Sequence, residues 1–207
     1  MKFQKFGEAT KGMDAAKKRE YIWMYYKGHI ISAVCVLALG IYSSYQFATR
    51  TEPFFYVVFT GGNTNMENLS QLEQRLNGVL IPDGINGNHS VVARSLGFSV
   101  AEDALIGTQE AEALMLMLAV GDLDIVVFDE VTFNHFANLG ALAPLDGFGA
   151  LLPADAIVYH DGEPLGIRGD AIAAFDGILL GGEWIVASGA GSHRPGLIGE
   201  FLGYALP

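Results

Sequence analysis

Residues 121–146 read GDLDIVVFDEVTFNHFANLGALAPLD. Within this stretch, Asp124–Phe128 (DIVVF) is a short unbroken apolar run, the pattern of a strand buried on both faces. Asp129 and Glu130 follow at the strand's carboxyl end, where they can cap the next helix and meet its positive dipole. A helix is predicted over about Val131–Leu139, and Gly140 supplies its left-handed stop. A buried strand feeding a capped helix is the repeating unit of an open α/β sheet.

The same grammar extends outward from this stretch. Upstream, Thr108 caps a helix carrying Ala111, Leu114, Met115 and Leu118, ended by Gly121. Ser90–Ser95 is a weaker strand candidate. Phe54–Thr60 (FFYVVFT) is another near-continuous apolar run, broken by Gly61-Gly62-Asn63. Asn65 caps a helix with Leu69, Leu72 and Leu76 on one face, and Gly78 is read as its end. Downstream, Glu183–Ser188 (EWIVAS) reads as a last strand, and Pro195 opens a final helix with Leu197, Ile198, Phe201 and Leu202 inward. From Gly140 onward the chain holds 14 of its 26 glycines. The expectation is a small α/β core with an irregular insertion at about 145–180.

Charge divides the 207 residues at one place. Residues 1–28 carry seven Lys/Arg against three acids, a formal +4, and residues 49–207 carry five Arg, no Lys and twenty Asp/Glu, a formal −15. Between them Ile30–Phe47 (IISAVCVLALGIYSSYQF) has no formal charge. Eighteen residues of helix span about 27 Å, close to the hydrocarbon thickness of a bilayer. Tyr21, Trp23, Tyr25 and Tyr26 precede the segment, and Tyr42, Tyr45, Phe47, Phe54 and Phe55 lie at or beyond its end, as in interfacial aromatic belts. A retained signal-anchor is expected: a basic arm at 1–28, a transmembrane helix at 29–48 and one extracytoplasmic domain at 53–207. The positive-inside rule puts the N-terminus in the cytoplasm. A core helix and a cleaved signal peptide are the alternatives. Gln46-Phe47-Ala48 is a poor cleavage sequence, and a core helix needs no cationic flank.

The net charge of −11 argues against a nucleic-acid partner, which would call for a basic chain. The one cysteine, Cys35, lies inside the apolar segment, so no internal disulfide and no Cys-rich zinc site is expected. No GxSxG is present. None of His29, His89, His135, His160 and His193 has the spacing of a zinc helix. A metal site from His135, His160 and Asp129 is the least favoured reading. Neither a catalytic residue nor a cofactor is assigned. Arg168-Gly169-Asp170 reads as a Gly turn between charges. Asn68-Leu69-Ser70 and Asn88-His89-Ser90 match the glycosylation pattern formally.

In open α/β sheets ligands sit beyond the carboxyl ends of the strands. That rule singles out Thr60, Gly61, Gly62 and Asn63 after the first strand, and Asp129 and Glu130 after DIVVF, as a shallow polar pocket. The other reading of the same residues is ordinary strand–helix turns. GGN is no phosphate loop, since it lacks the Lys-Ser/Thr and the glycine spacing.

The stretch quoted first also resembles a known family. A helix ending in Gly-Asp, a strand reading "DIV", and an acidic turn into a helix ending "LA-x-x-GAL-x-x-LD" resemble the extracellular solute-binding proteins of ABC importers. Gly121, Asp122, Asp124, Ile125, Val126, Phe133, Ala137, Gly140, Ala141, Leu142, Leu145 and Asp146 fit that run. The C-terminal strand and helix are similar too, with Ser192, His193, Phe201 and Tyr204 in register. The resemblance implies one lobe of the type 2 periplasmic-binding fold and a small-molecule ligand. It implies an accessory or receptor-like role in transport, with a membrane permease or other integral membrane protein as partner. The family closes two lobes on its solute. Here about 155 residues supply one lobe, and the 36 residues between Asp146 and Glu183 are too few for a second. The alternative is therefore an anchored protein-interaction module that kept the fold and lost ligand binding.

Overall fold

The computed structural model describes residues 12, 14–48, 52–61, 64–82, 89–101, 104–106, 108–179 and 181–206. The chain divides into two compact units, Met1–Arg50 and Thr51–Pro207.

Among the described residues the first unit holds one helix, α1 (Ala15–Ala48, 34 residues). Asp14 starts it: its side chain accepts a hydrogen bond from the Ala15 N–H at 2.8 Å, and its carbonyl accepts from Lys18. Tyr26–Phe47, 22 residues with a mean hydropathy of 1.6, is long and apolar enough to cross a bilayer. A signal sequence would meet the same description.

The second unit is a mixed α/β domain. Its elements are β1 (Glu52–Thr60), α2 (Met66–Leu80), β2 (His89–Leu96), β3 (Ser99–Ala101), β4 (Ala104–Ile106), α3 (Thr108–Val120), β5 (Ile125–Asp129), α4 (Glu130–Asn138), β6 (Leu142–Ala143), β7 (Ile157–His160), β8 (Glu163–Arg168), β9 (Trp184–Gly189) and α5 (Pro195–Ala205). Seven strands form one sheet in the order β2-β1-β5-β9-β8-β7, with β6 also paired to β9, and β3 and β4 form a separate two-stranded ribbon. β1 is parallel to β2 and β5; β5–β9, β9–β8 and β8–β7 are antiparallel.

Both faces of the sheet are covered, which is why FFYVVFT and DIVVF carry no polar alternation. Phe55, Val57 and Phe59 of β1 point to a core closed by Leu72 and Leu76 of α2 and Phe201 and Leu202 of α5. Phe59 meets Phe175 edge-on at 4.9 Å. Val58 of β1 and Val126 and Phe128 of β5 point the other way, onto Leu114 of α3 and Phe133 and Phe136 of α4. Phe128 and Phe136 stack at 5.1 Å. Each such fully buried side chain contributes about 1.5–3 kcal/mol by leaving water.

The local signals act as expected at several ends. The Asn65 side chain accepts from the N–H groups of Glu67 and Asn68, and Pro195 stands in the first turn of α5. Gly121 and Gly140 close their helices with φ of 76° and 65°. Others differ. α2 continues through Gly78 to Leu80, because Leu80 is fully buried, and the extended Ile81 before Pro82 ends it instead. α4 begins at Glu130, one residue earlier than its apolar spacing suggested. The 145–180 region contains the β7–β8 hairpin, whose turn is Asp161-Gly162 with φ of 49° and 86°, besides three 3₁₀ turns.

Candidate functional site

β1 and β5 end side by side, and the turn after β5, the end of β8 and the start of β9 border a cleft of about 580 Å³. Its wall is built around Trp184, the first residue of β9, opposite Asp129 in the sheet register. The Trp184 indole N–H donates to the Gly181 carbonyl at 2.8 Å, which holds the ring in place. The ring lies over Gly61: a Cβ there would come within 3.3 Å of it, and φ is +93°, so both space and backbone select glycine. A Cβ on Gly169 would meet the Trp184 backbone and Cβ at about 3.0 Å.

The far wall is the segment after β8. It is pinned to the start of α2 by Asn65 N–H donating to Ile178 O at 2.8 Å and Asn68 Nδ2 donating to Gly177 O at 2.7 Å. Gly177 has φ of 71°. Phe175 and Leu179 give this wall an apolar surface. Glu130, Asp170, Asp176 and Glu183 line the cleft against a single cation, Arg168, a formal charge of −3. Arg168 Nε lies 3.3 Å from Asp170 Oδ1, with both side chains more than half exposed, a pair contributing little to stability. The Arg-Gly-Asp tripeptide is thus an ion-paired 3₁₀ turn beside the cleft.

The residues marked by the strand-end rule have different places. Glu130 lines the cleft; Gly61 does not, and packs against the Trp184 ring instead. Thr60 is fully buried and its hydroxyl donates to Val127 O at 2.9 Å, tying β1 to β5. Asp129 caps α4 with both carboxylate oxygens, accepting from Thr132 N–H at 2.8 Å and Thr132 Oγ1–H at 3.0 Å. Gly62 and Asn63 lie outside the described residues. Trp184, Arg168, Asp176 and Glu183 were not marked, because they come from antiparallel strands and turns that the rule for parallel strands does not reach. No family model matches this chain, and no curated protein matches it significantly.

The cleft offers carboxylates, one guanidinium, an indole face and backbone groups. His160 is engaged elsewhere, between the side-chain amides of Asn134 and Asn138. Among the described residues no group of three His, Cys, Asp or Glu is placed to hold a metal ion.

At the opposite end of the sheet lies a buried charge. Asp124 is fully buried. Its Oδ2 accepts from Tyr56 N–H at 2.9 Å and from Arg194 Nη1 at 2.8 Å, and its Oδ1 accepts from Ser192 Oγ at 2.8 Å. Burial pushes the carboxyl above its ordinary value, against the lowering effect of these hydrogen bonds and of Arg194. With three donors on its two oxygens, this constellation is a structural latch between the start of β5, β1 and the loop after β9.

Proposed function

We propose that the chain is a membrane-anchored, extracytoplasmic, solute-binding-like protein, an accessory or receptor-like part of a transport system. The observation that carries this reading is the cleft at the carboxyl end of β5 and the start of β9, walled by Glu130 and Trp184. It lies where open α/β sheets bind ligands. The resemblance of residues 121–146 and 192–204 to one lobe of the type 2 periplasmic-binding fold supports it. The apolar Tyr26–Phe47 helix, between a basic arm and an acidic domain, supports a single-pass anchor with the N-terminus in the cytoplasm. Four carboxylates around the cleft disfavour an anionic solute, and the indole face suits a cation or a sugar ring.

The test uses the full chain in detergent, in a Trp23→Phe background. Trp184 fluorescence and thermal stability are followed while sugars, amino acids, short peptides and divalent metals are added. A saturable response to one class is expected; no response from any class would remove the ligand-binding half of the reading. The cleft is bounded by one domain only, which favours the second reading, an anchored interaction module. In-membrane crosslinking that captures a specific integral membrane protein, with no solute response, would support that second reading.

A further inference from the structure

α3 carries two apolar stripes. The inward one, Ala111, Leu114 and Leu118, is buried against the sheet with Val126 and Phe128 of β5. The outward one occupies the second half of the helix, where Met115, Leu116, Ala119 and Val120 are all exposed, Leu116 at 65%. Leu139, just past α4, is 52% exposed. Between the second half of α3 and the end of α4 runs an open groove of about 470 Å³. Leu118 and Phe136 form its buried floor, and Met115 and Leu139 stand at its sides. Not one polar side chain lines it. A contiguous apolar groove facing water marks an interaction site, whereas a single exposed leucine would not.

The absence of polar groups in the groove says what backbone it accepts. An extended segment laid there would bury N–H and C=O groups without partners. A helix satisfies its own backbone and presents side chains alone. Charge then says which helix. Glu112 lies one turn before Met115 and Leu116 on the same side of α3, and Asp122 follows Val120 by two residues; both acids are exposed. Residues 49–207 contain no Lys. None of their Arg lines the groove, and Arg194, on the loop that borders it, is bound to Asp124 at 2.8 Å. A second copy is the less suited occupant, since it would bring two domains of formal −15 together, with Glu112 and Asp122 of each beside the contact.

We propose that the α3–α4 groove docks a basic amphipathic helix of a partner protein, its apolar stripe on Met115, Leu116 and Leu139 and its Lys or Arg against Glu112 and Asp122. The groove shares no lining residue with the cleft beside Trp184, so this docking does not rest on a solute in the cleft.

The test uses the full chain in a neutral detergent and a synthetic peptide of leucine and lysine, about 18 residues or roughly five helical turns long. Its leucines are set at helical spacing, and a benzophenone replaces one of them. After irradiation, mass spectrometry locates the adducts. They are expected on Met115, Leu116 and Leu139, about tenfold or more above Met66. Met66 is the control because it is 63% exposed and begins α2, which packs on the other face of the sheet. Leu116→Gln with Leu139→Gln should lower the adducts about tenfold, as should a peptide with glutamate in place of lysine. Glu112→Gln with Asp122→Asn should lower them about threefold while leaving the apolar stripe intact, so a folding failure of the leucine pair does not remove the test. Equal labelling of Met66 and Met115, or adducts confined to α1, would mean diffuse attraction or capture by the micelle and overturns the proposal. Equal labelling by the glutamate peptide overturns the basic partner. A self-associated parent chain in sedimentation that Leu116→Gln with Leu139→Gln dissociates assigns the groove to a second copy, and also overturns it.

Discussion

Replacing Arg194 by Met leaves a buried carboxylate without its counter-ion. Asp124 is fully buried, and Arg194 is its only ion-pair partner among the described residues. Removing one member of a buried pair costs about 3–5 kcal/mol. The Arg194 side chain is 29% exposed, so water enters the vacated space and the lower end, about 3 kcal/mol, is expected. The Tyr56 N–H and Ser192 hydroxyl remain on the carboxylate and keep the loss from being larger. The pH dependence separates charge from packing. The folded carboxyl already titrates above its ordinary 3.8 because of burial, and losing Arg194 raises it further. Between the unfolded and folded values the folded state holds the extra proton, so stability falls as pH rises through that window. The deficit of Arg194→Met should therefore be complete at about pH 7 and smaller at about pH 4, where the proton replaces the guanidinium. Urea titration of the full chain in detergent, read by Trp184 fluorescence with Trp23→Phe, measures it. A deficit equal at both pH values would mean that the loss is of packing and that the buried-charge reasoning is wrong. Asp124→Asn should cost about 1 kcal/mol: its amide oxygen still accepts from Tyr56 and Arg194, and its NH₂ donates to Ser192. Asp124→Ala, which leaves those donors orphaned, should cost about 3 kcal/mol.

Three further outcomes follow from the geometry. Gly121→Val should prevent folding or cost more than about 3 kcal/mol, read by yield and proteolysis, since a Cβ at that left-handed position would collide with the Gly191 carbonyl. Asp129→Ala should lower stability by about 1 kcal/mol through loss of the α4 cap while Asp129→Asn stays near the parent, both by urea titration; a large loss with Asn would assign Asp129 a role beyond capping. Trp184→Leu should abolish any solute-induced shift in melting temperature while leaving the ligand-free melting temperature within a few degrees, because the indole is partly exposed and its one hydrogen bond is to a surface turn.

Much of the fold is legible where a rule is local. Continuous apolar runs marked β1, β5 and β9; Asn65, Asp129 and Pro195 marked helix starts; Gly121 and Gly140 marked stops. The helix end at Gly78 was misplaced because a local stop signal competes with a nonlocal one, the burial of Leu80. The β7–β8 hairpin carried a readable Asp-Gly turn inside a glycine-rich stretch that otherwise suggests irregular chain. For the cleft, the strand-end rule marks six residues, of which Glu130 alone among the described ones is a lining residue. Whether a residue there faces the cleft or the core depends on its partners, so Thr60 and Asp129 are consumed by hydrogen bonds within the fold.

Composition and periodicity alone determined that a charge-free helix joins a basic arm to an acidic α/β domain, since those properties are sums and spacings along one chain. Only the tertiary structure decided that β9 runs antiparallel into the middle of the sheet, carrying Trp184 to the ends of β1 and β5. It also paired Asp124 with Arg194 across 70 residues, and gathered the outward apolar ends of α3 and α4 at one edge. Strand direction, charge pairing and surface patches are relations between segments distant in sequence. They arise only when both faces of the sheet are buried at once.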